Sequence, residues 1–127
     1  MITLDARTVY VWYAIPDAVT DRDLLRRYEA LLCADERAQW ERIRPAAVRH
    51  TYLVAHALVR VTLSRYANVE PRAWTFVRNE YGRPEIAGAH SSARLRFSLS
   101  HTTGAAACGV VLLVKLLVQN GSAGPLL

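Results

Sequence analysis

The chain has 127 residues, 52% of them hydrophobic and 21% charged, and a formal net charge of +5. That composition suits one ordinary soluble domain with a modest core. The positive balance favours an anionic partner: a phosphate compound, an acidic protein, nucleic acid or an acidic membrane surface. Residues 105–118 are apolar but too short for a membrane span, and Lys115 interrupts them. The first residues lack the basic and apolar regions of a signal peptide, which points to the cytoplasm. Cys33 and Cys108 have no metal-like spacing and read as two buried free thiols. Lys115 is the only lysine, so arginine carries nearly all the positive charge, and its planar fork suits bidentate phosphate binding.

Residues 8–15 are β-branched and aromatic and predict a strand, ended by Pro16-Asp17. Thr20, with Asp23 three residues on, reads as the N-cap of a helix over about 21–32. Residues 34–43 form a second, short helical stretch. Pro45 suits the first turn of a third helix, in which Val48, Tyr52, Ala55, Val59 and Leu63, then Tyr66, recur as a core stripe. Arg49, His56 and Arg60 fall together on another face of it. A loop over 68–71 precedes a strand over 73–78 with Trp74 and Phe76 on one side. A turn at 79–84, a short extended piece to Ile86 and a small polar loop over 87–92 follow. A strand over 94–100 then pairs as a hairpin with the apolar run 105–114. Strand, helices, then strands is the order of an α+β domain.

Two stretches carry the chemistry. In Asn79-Glu80-Tyr81-Gly82-Arg83-Pro84, Gly tolerates positive φ and Pro stops regular structure, so this is a tight turn. In Leu95-Arg96-Phe97-Ser98-Leu99-Ser100-His101 the strict alternation predicts a half-buried strand ending in a hydroxyl and an imidazole. Arg83 offers a fork of donors to a phosphate. His101 can donate from either nitrogen and gain charge beside one. Ser100 and His101 do not suit a nucleophile and base, because strand neighbours point to opposite faces. His50 and His56 are six residues apart and share no helical face, and no phosphate loop or zinc helix motif is present.

Tyr81-Gly82-Arg83-Pro84 followed by Phe97-Ser98-Leu99-Ser100-His101 resembles the signature of the Sfp-type 4'-phosphopantetheinyl transferases, a Gly-Lys-Pro turn and then Phe-Asn-(Leu/Ile/Val)-Ser-His. Arg83 stands for the Lys and Ser98 for the Asn. Leu32-Cys33-Ala34-Asp35-Glu36-Arg37 resembles the family's Leu-Ser-x-(Asp/Glu)-Glu-Arg segment, and the helix over 49–64 its Arg-rich helix. The resemblance covers about residues 9–111. It implies one half of a pseudo-twofold fold, an antiparallel sheet packed with helices, over 1–111, and a divergent apolar tail over 112–127. It implies transfer of phosphopantetheine from coenzyme A to a serine of an acyl or peptidyl carrier protein, with Mg²⁺. Gly82, Arg83, Pro84, Ser100 and His101 are the positions that would face coenzyme A, with Arg49 and His50 towards its 3'-phosphate. Where the family often places a base near the phosphates, Glu36 and Gln39 stand.

The family's metal motif, Gly-(Ile/Val)-Asp-x-Glu after the Ser-His, and its Trp-x-x-Lys-Glu helix are absent; Glu85 is the last acid in the sequence. The resemblance therefore implies a truncated chain, with a shifted reading frame as one explanation. It also implies that the chain has no metal site or catalytic residue of its own, is inactive alone, and has a missing C-terminal half or self-association as its partner. The small single-domain holo-acyl-carrier-protein synthases have nearly this length, but their Gly-x-Asp and Lys-Glu-Ala motifs are absent too, so the shared length reads as coincidence. The alternatives are a non-catalytic coenzyme A or nucleotide-binding module and a small basic nucleic-acid-binding domain, against which the scatter of the arginines argues.

Overall fold

The computed structural model describes residues 2–5, 7–102, 104–112, 115–117 and 123–125. Along the chain come β1 (Tyr10–Ala14), α1 (Arg22–Leu31), α2 (Ala34–Arg42), α3 (Ala46–Leu63), β2 (Thr75–Arg78), β3 (Pro84–Ala87), β4 (Leu95–Thr102) and β5 (Ala105–Leu112). Single 3-10 turns stand at Pro16–Ala18 and Pro71–Ala73, and a longer 3-10 stretch at Gly88–Ala93. The short β6 (Lys115–Leu117) and β7 (Ala123–Pro125) pair antiparallel with each other, and the rest of the expected tail lies outside the described residues.

The α+β architecture rests on a three-stranded antiparallel sheet in the order β1-β5-β4. β4 and β5 form the expected hairpin, with Leu95 opposite Leu112 and Thr102 opposite Ala105. β1 pairs with the other edge of β5, so the last long strand is the central one. The alternation in β4 does what its period predicts. Leu95 and Phe97 are buried against Val59 and Leu63 of α3 and against Cys108 and Val110 of β5, while Arg96 and Ser98 face out. Full burial of each Leu, Val or Phe contributes about 1.5–3 kcal/mol, so this layer is the main source of cohesion. The opposite face of the sheet is open, with Val9, Val11 and Tyr13 exposed. A second, smaller core joins Leu32, Trp40 and Leu53 between the helices.

Several local expectations change. The cap of α1 is Asp21 rather than Thr20: its Oδ1 accepts from the backbone N–H of Asp23 at 2.8 Å and of Leu24 at 3.2 Å, and a carboxylate there also suits the helix dipole. Val48, at the head of the predicted stripe, is 46% exposed, because α3 meets the sheet only from its middle onwards. Cys33 is exposed at the start of α2, whereas Cys108 is buried in the sheet core. Burial pushes the Cys108 thiol up to about 12.

Arg60 departs furthest from expectation. It is fully buried, and its face of α3 is an internal one. Its Nε and Nη2 donate to Glu36 Oε1 of α2 at 3.0 and 2.7 Å, and its Nη1 donates to the carbonyls of Pro71 and Trp74 at 3.0 and 2.8 Å. The same Oε1 accepts the Cys33 N–H, and His56 Nδ1 lies 2.8 Å from Oε2. Burial alone would raise the Glu36 carboxyl. The His56, Cys33 and Arg60 donors outweigh it and bring the value down to about 2. The carboxylate therefore holds no proton, and His56 Nδ1–H is the donor. Glu36 is thus the partner of the buried Arg60.

Candidate functional site

The turn after β2 is built by Asn79. Its Oδ1 accepts the N–H groups of Tyr81 at 2.9 Å and Arg83 at 3.0 Å, and its Nδ2 donates to Glu85 Oε1 at 2.7 Å. Asn79 N–H donates to the Arg83 carbonyl and Gly82 N–H to the Asn79 carbonyl, both at 2.9 Å. Gly82 has φ +78°, and a Cβ there would meet nothing within 4 Å. Its requirement for glycine is conformational and not steric. At the hairpin base Gly88 carries both constraints: its φ is +70°, and a Cβ there would lie 2.7 Å from Thr75 Oγ1.

A cavity of about 420 Å³ lies where β3 meets β4 and the open side of the sheet. Arg83, Pro84, Arg94, Arg96 and Ser98 line it, over an apolar floor that includes Val9 and Val111. Arg83, Arg94 and Arg96 are exposed, and none makes an ion pair among the described residues. Glu85, the acid on the cavity wall, is engaged by Asn79. The cavity thus offers unpaired guanidinium donors beside an apolar surface, which suits an anion carrying an apolar or aromatic part. Sequence reasoning missed Arg94 and Arg96. The signal for Arg96 was the outward phase of β4; Arg94 reaches the cavity through a left-handed backbone, φ +59°, that no residue type there announces.

The other predicted residues gather at a different end. Ser100 and His101 are exposed near the end of β4. His101 pairs with Ala106 across the sheet, and Ala106 with Ala14 of β1. Two residues past Ala14, the Pro16 carbonyl accepts a hydrogen bond of 2.8 Å from His50 Nε2. His50 is therefore at the same end of the sheet as His101. Arg49, beside it in the first turn of α3, lies over the Trp40 ring at 4.3 Å. So Arg49, His50, Ser100 and His101 share one end of the domain, and Arg83 and Pro84 share the cavity with Arg94 to Ser98. Along β4, Arg96 and Ser100 are about 13 Å apart at the usual strand rise.

No three His, Cys, Asp or Glu side chains converge among the described residues, and Glu36 and Glu85 are engaged by Arg60 and Asn79. Among the described residues no helix is long and apolar enough to cross a membrane.

No protein-family model matches the chain. Over 67 residues it is 31% identical to a protein of Synechocystis sp. provisionally named as a 4'-phosphopantetheinyl transferase. That alignment covers 53% of this chain and 27% of the relative, so the chain spans about a quarter of that relative's length. In fold it is similar to Helicobacter pylori holo-(acyl-carrier-protein) synthase, whose structure is a complex with coenzyme A. The TM-score is 0.58 at 12% identity, covering 83% of this chain and 99% of that one. The length shared with the small synthases, which the missing motifs made look accidental, therefore accompanies a shared fold.

Proposed function

We propose, from the partial similarity to a 4'-phosphopantetheinyl transferase and the shared fold of a holo-(acyl-carrier-protein) synthase, that the chain is the coenzyme A-gripping part of a transferase that moves phosphopantetheine to a serine of an acyl or peptidyl carrier protein. The observation that carries this reading is the arginine-lined cavity beside the Gly82-Arg83-Pro84 turn. In this reading Arg83 and Arg96 hold phosphate oxygens, and Gly82 and Pro84 form the wall for the base. Ser100 and His101 hold a further phosphate group at the far end of β4, with Arg49 and His50 beside them. A ligand as long as coenzyme A bridges the two groups. The exposed thiol of Cys33 and the absence of disulfides among the described residues support a cytoplasmic setting.

Transfer of this kind needs charge neutralised on a pyrophosphate leaving group, normally by a metal held on carboxylates. No acid follows Glu85 in the sequence, and the described carboxylates before it do not converge. In this reading the half-domain over 1–111 grips coenzyme A, and the acids needed for transfer come from another half. The open sheet face carrying Val9, Val11 and Tyr13 is where that half, or a second copy, packs. The missing carboxylate cluster favours one further reading, a coenzyme A-binding module without catalysis.

Titration calorimetry with coenzyme A tests the grip: micromolar to millimolar binding that weakens with added salt is expected, and no heat at millimolar ligand would overturn it. Mass spectrometry of a carrier protein incubated with coenzyme A, Mg²⁺ and the chain separates the two readings. No mass gain is expected with the chain alone. A gain on adding a separately expressed second half marks a half-enzyme, and no gain with any supplied half leaves the binding module. Light scattering should show self-association, and a monomer at high concentration would remove the packing role of the open face.

A further inference from the structure

The β2–β3 hairpin carries the turn and one wall of the cavity, yet within the sheet order it pairs with no strand of the main sheet. Its placement must come from side chains. Trp74, fully buried, fixes its base and donates from Nε1 to Ser64 Oγ at 2.8 Å. One anchored residue leaves a hairpin free to swivel. Arg60 supplies the second constraint. Its Nη1 holds the Pro71 and Trp74 carbonyls, and its guanidinium carbon lies 5.1 Å from the centre of the Phe76 ring, on β2 itself. Phe76 meets Phe97 edge to face at 5.3 Å, and Phe97 stands in β4 between Arg96 and Ser98, which line the cavity. Glu36, whose side chain is 12% exposed, fixes the guanidinium from the other side.

We propose that Glu36 and Arg60 are positioning residues: through Phe76 and Phe97 they set where the hairpin stands over β4, and so whether Arg83 faces Arg96 across the cavity. The part of this inference that concerns ligand affinity rests on the coenzyme A reading above; the part that concerns the hairpin does not. A guanidinium suits the task because one rigid fork satisfies a carboxylate on one side and carbonyls on the other. A lysine keeps the charge opposite Glu36 and lacks the fork.

The experiment compares the wild type with Arg60→Lys by amide hydrogen exchange and by titration with coenzyme A. Amides of residues 75–87 should exchange about tenfold faster, with β4 and β5 amides unchanged, because the hairpin opens as a local unit. The dissociation constant for coenzyme A should rise about tenfold, as it would if one charge-assisted hydrogen bond to the ligand were broken. Leu53→Ala, in the separate helical core, is the control: it lowers stability and should leave the dissociation constant unchanged. If hairpin and sheet amides accelerate together, or if Leu53→Ala shifts affinity as much, the pair is merely structural and the proposal falls. Should Arg60→Lys not fold, Phe76→Leu leaves the ion pair intact and carries the same expectations and the same overturning results. If the wild type does not bind coenzyme A, the ligand reading fails, and the exchange pattern alone decides the positioning role.

Discussion

Two groups of arginines in this protein have opposite fates. Arg60 is fully buried and its donors are all directed at Glu36 and at backbone carbonyls. Arg83, Arg94 and Arg96 are exposed around a cavity and make no ion pair among the described residues. The difference lies in what the neighbours leave unsatisfied. In the interior, a carboxylate and free carbonyls demand a cation. At the cavity, the one wall acid is already held by Asn79, so the guanidinium groups remain available to a ligand. Charge count alone would score both groups alike.

The sharpest way to break the comparison is to remove the buried member. Arg60→Met keeps most of the volume and leaves the Glu36 carboxylate with only the Cys33 and His56 donors, so urea unfolding should show a loss of about 3 kcal/mol, the low end for breaking a buried pair. Adding Glu36→Gln should cost less than the sum of the single changes, since the two side chains act as one unit. Additive losses would mean that the pair is not coupled.

Acid probes the same pair without mutation. Glu36 sits near 2 in the folded protein against an ordinary value of 4.5. Its folded value is depressed, so the stabilisation is complete above about pH 4.5 and is lost as pH falls towards 2. The loss amounts to about 3 kcal/mol over that window. Urea midpoints at pH 6, 4 and 3 should fall accordingly, and the Glu36→Gln variant should show a flatter profile.

At the exposed group the expected effects move from stability to binding. Arg83→Ala should weaken coenzyme A by about 1.5–3 kcal/mol while Tm stays within error of the wild type. Equal binding by both proteins in calorimetry would remove Arg83 from the site. The smallest effect is expected at Gly82→Ala. With open space around the Cβ, only the left-handed backbone resists, at about 1–2 kcal/mol. A larger fall in the urea midpoint would point to a contact that the geometry does not contain.

What the sequence disclosed follows from periodicity. The phase of β4, the stripe through Ala55, Val59 and Leu63, and the Asn79 turn were legible because each is set by local pattern. The pairing of β1 with β5 was not, because it joins segments at opposite ends of the chain with no shared local signal. Arg60 and Glu36 are 24 residues apart, and nothing in helical spacing distinguishes an arginine that turns inward from Arg49, which lies on Trp40. At the site, the turn and the Ser100-His101 strand end were visible as motifs. Their separation into a cavity and a far end appears only once the sheet register is known.

The position of β5 has a consequence for how the chain reaches this fold. Tyr10 pairs with Val110, one hundred residues later, and β4 and β1 touch only through the strand between them. On a ribosome, β1 and the three helices emerge long before the strand that joins the sheet, and their shared apolar face has no cover until residues 105–112 arrive. Such non-local closure is slow compared with helix or hairpin formation. A fragment ending at residue 104 should therefore lack the sheet altogether, retaining helical circular dichroism but binding a hydrophobic dye. Native-like near-ultraviolet dichroism in that fragment would show that the helices hold β1 and β4 in place without their central strand.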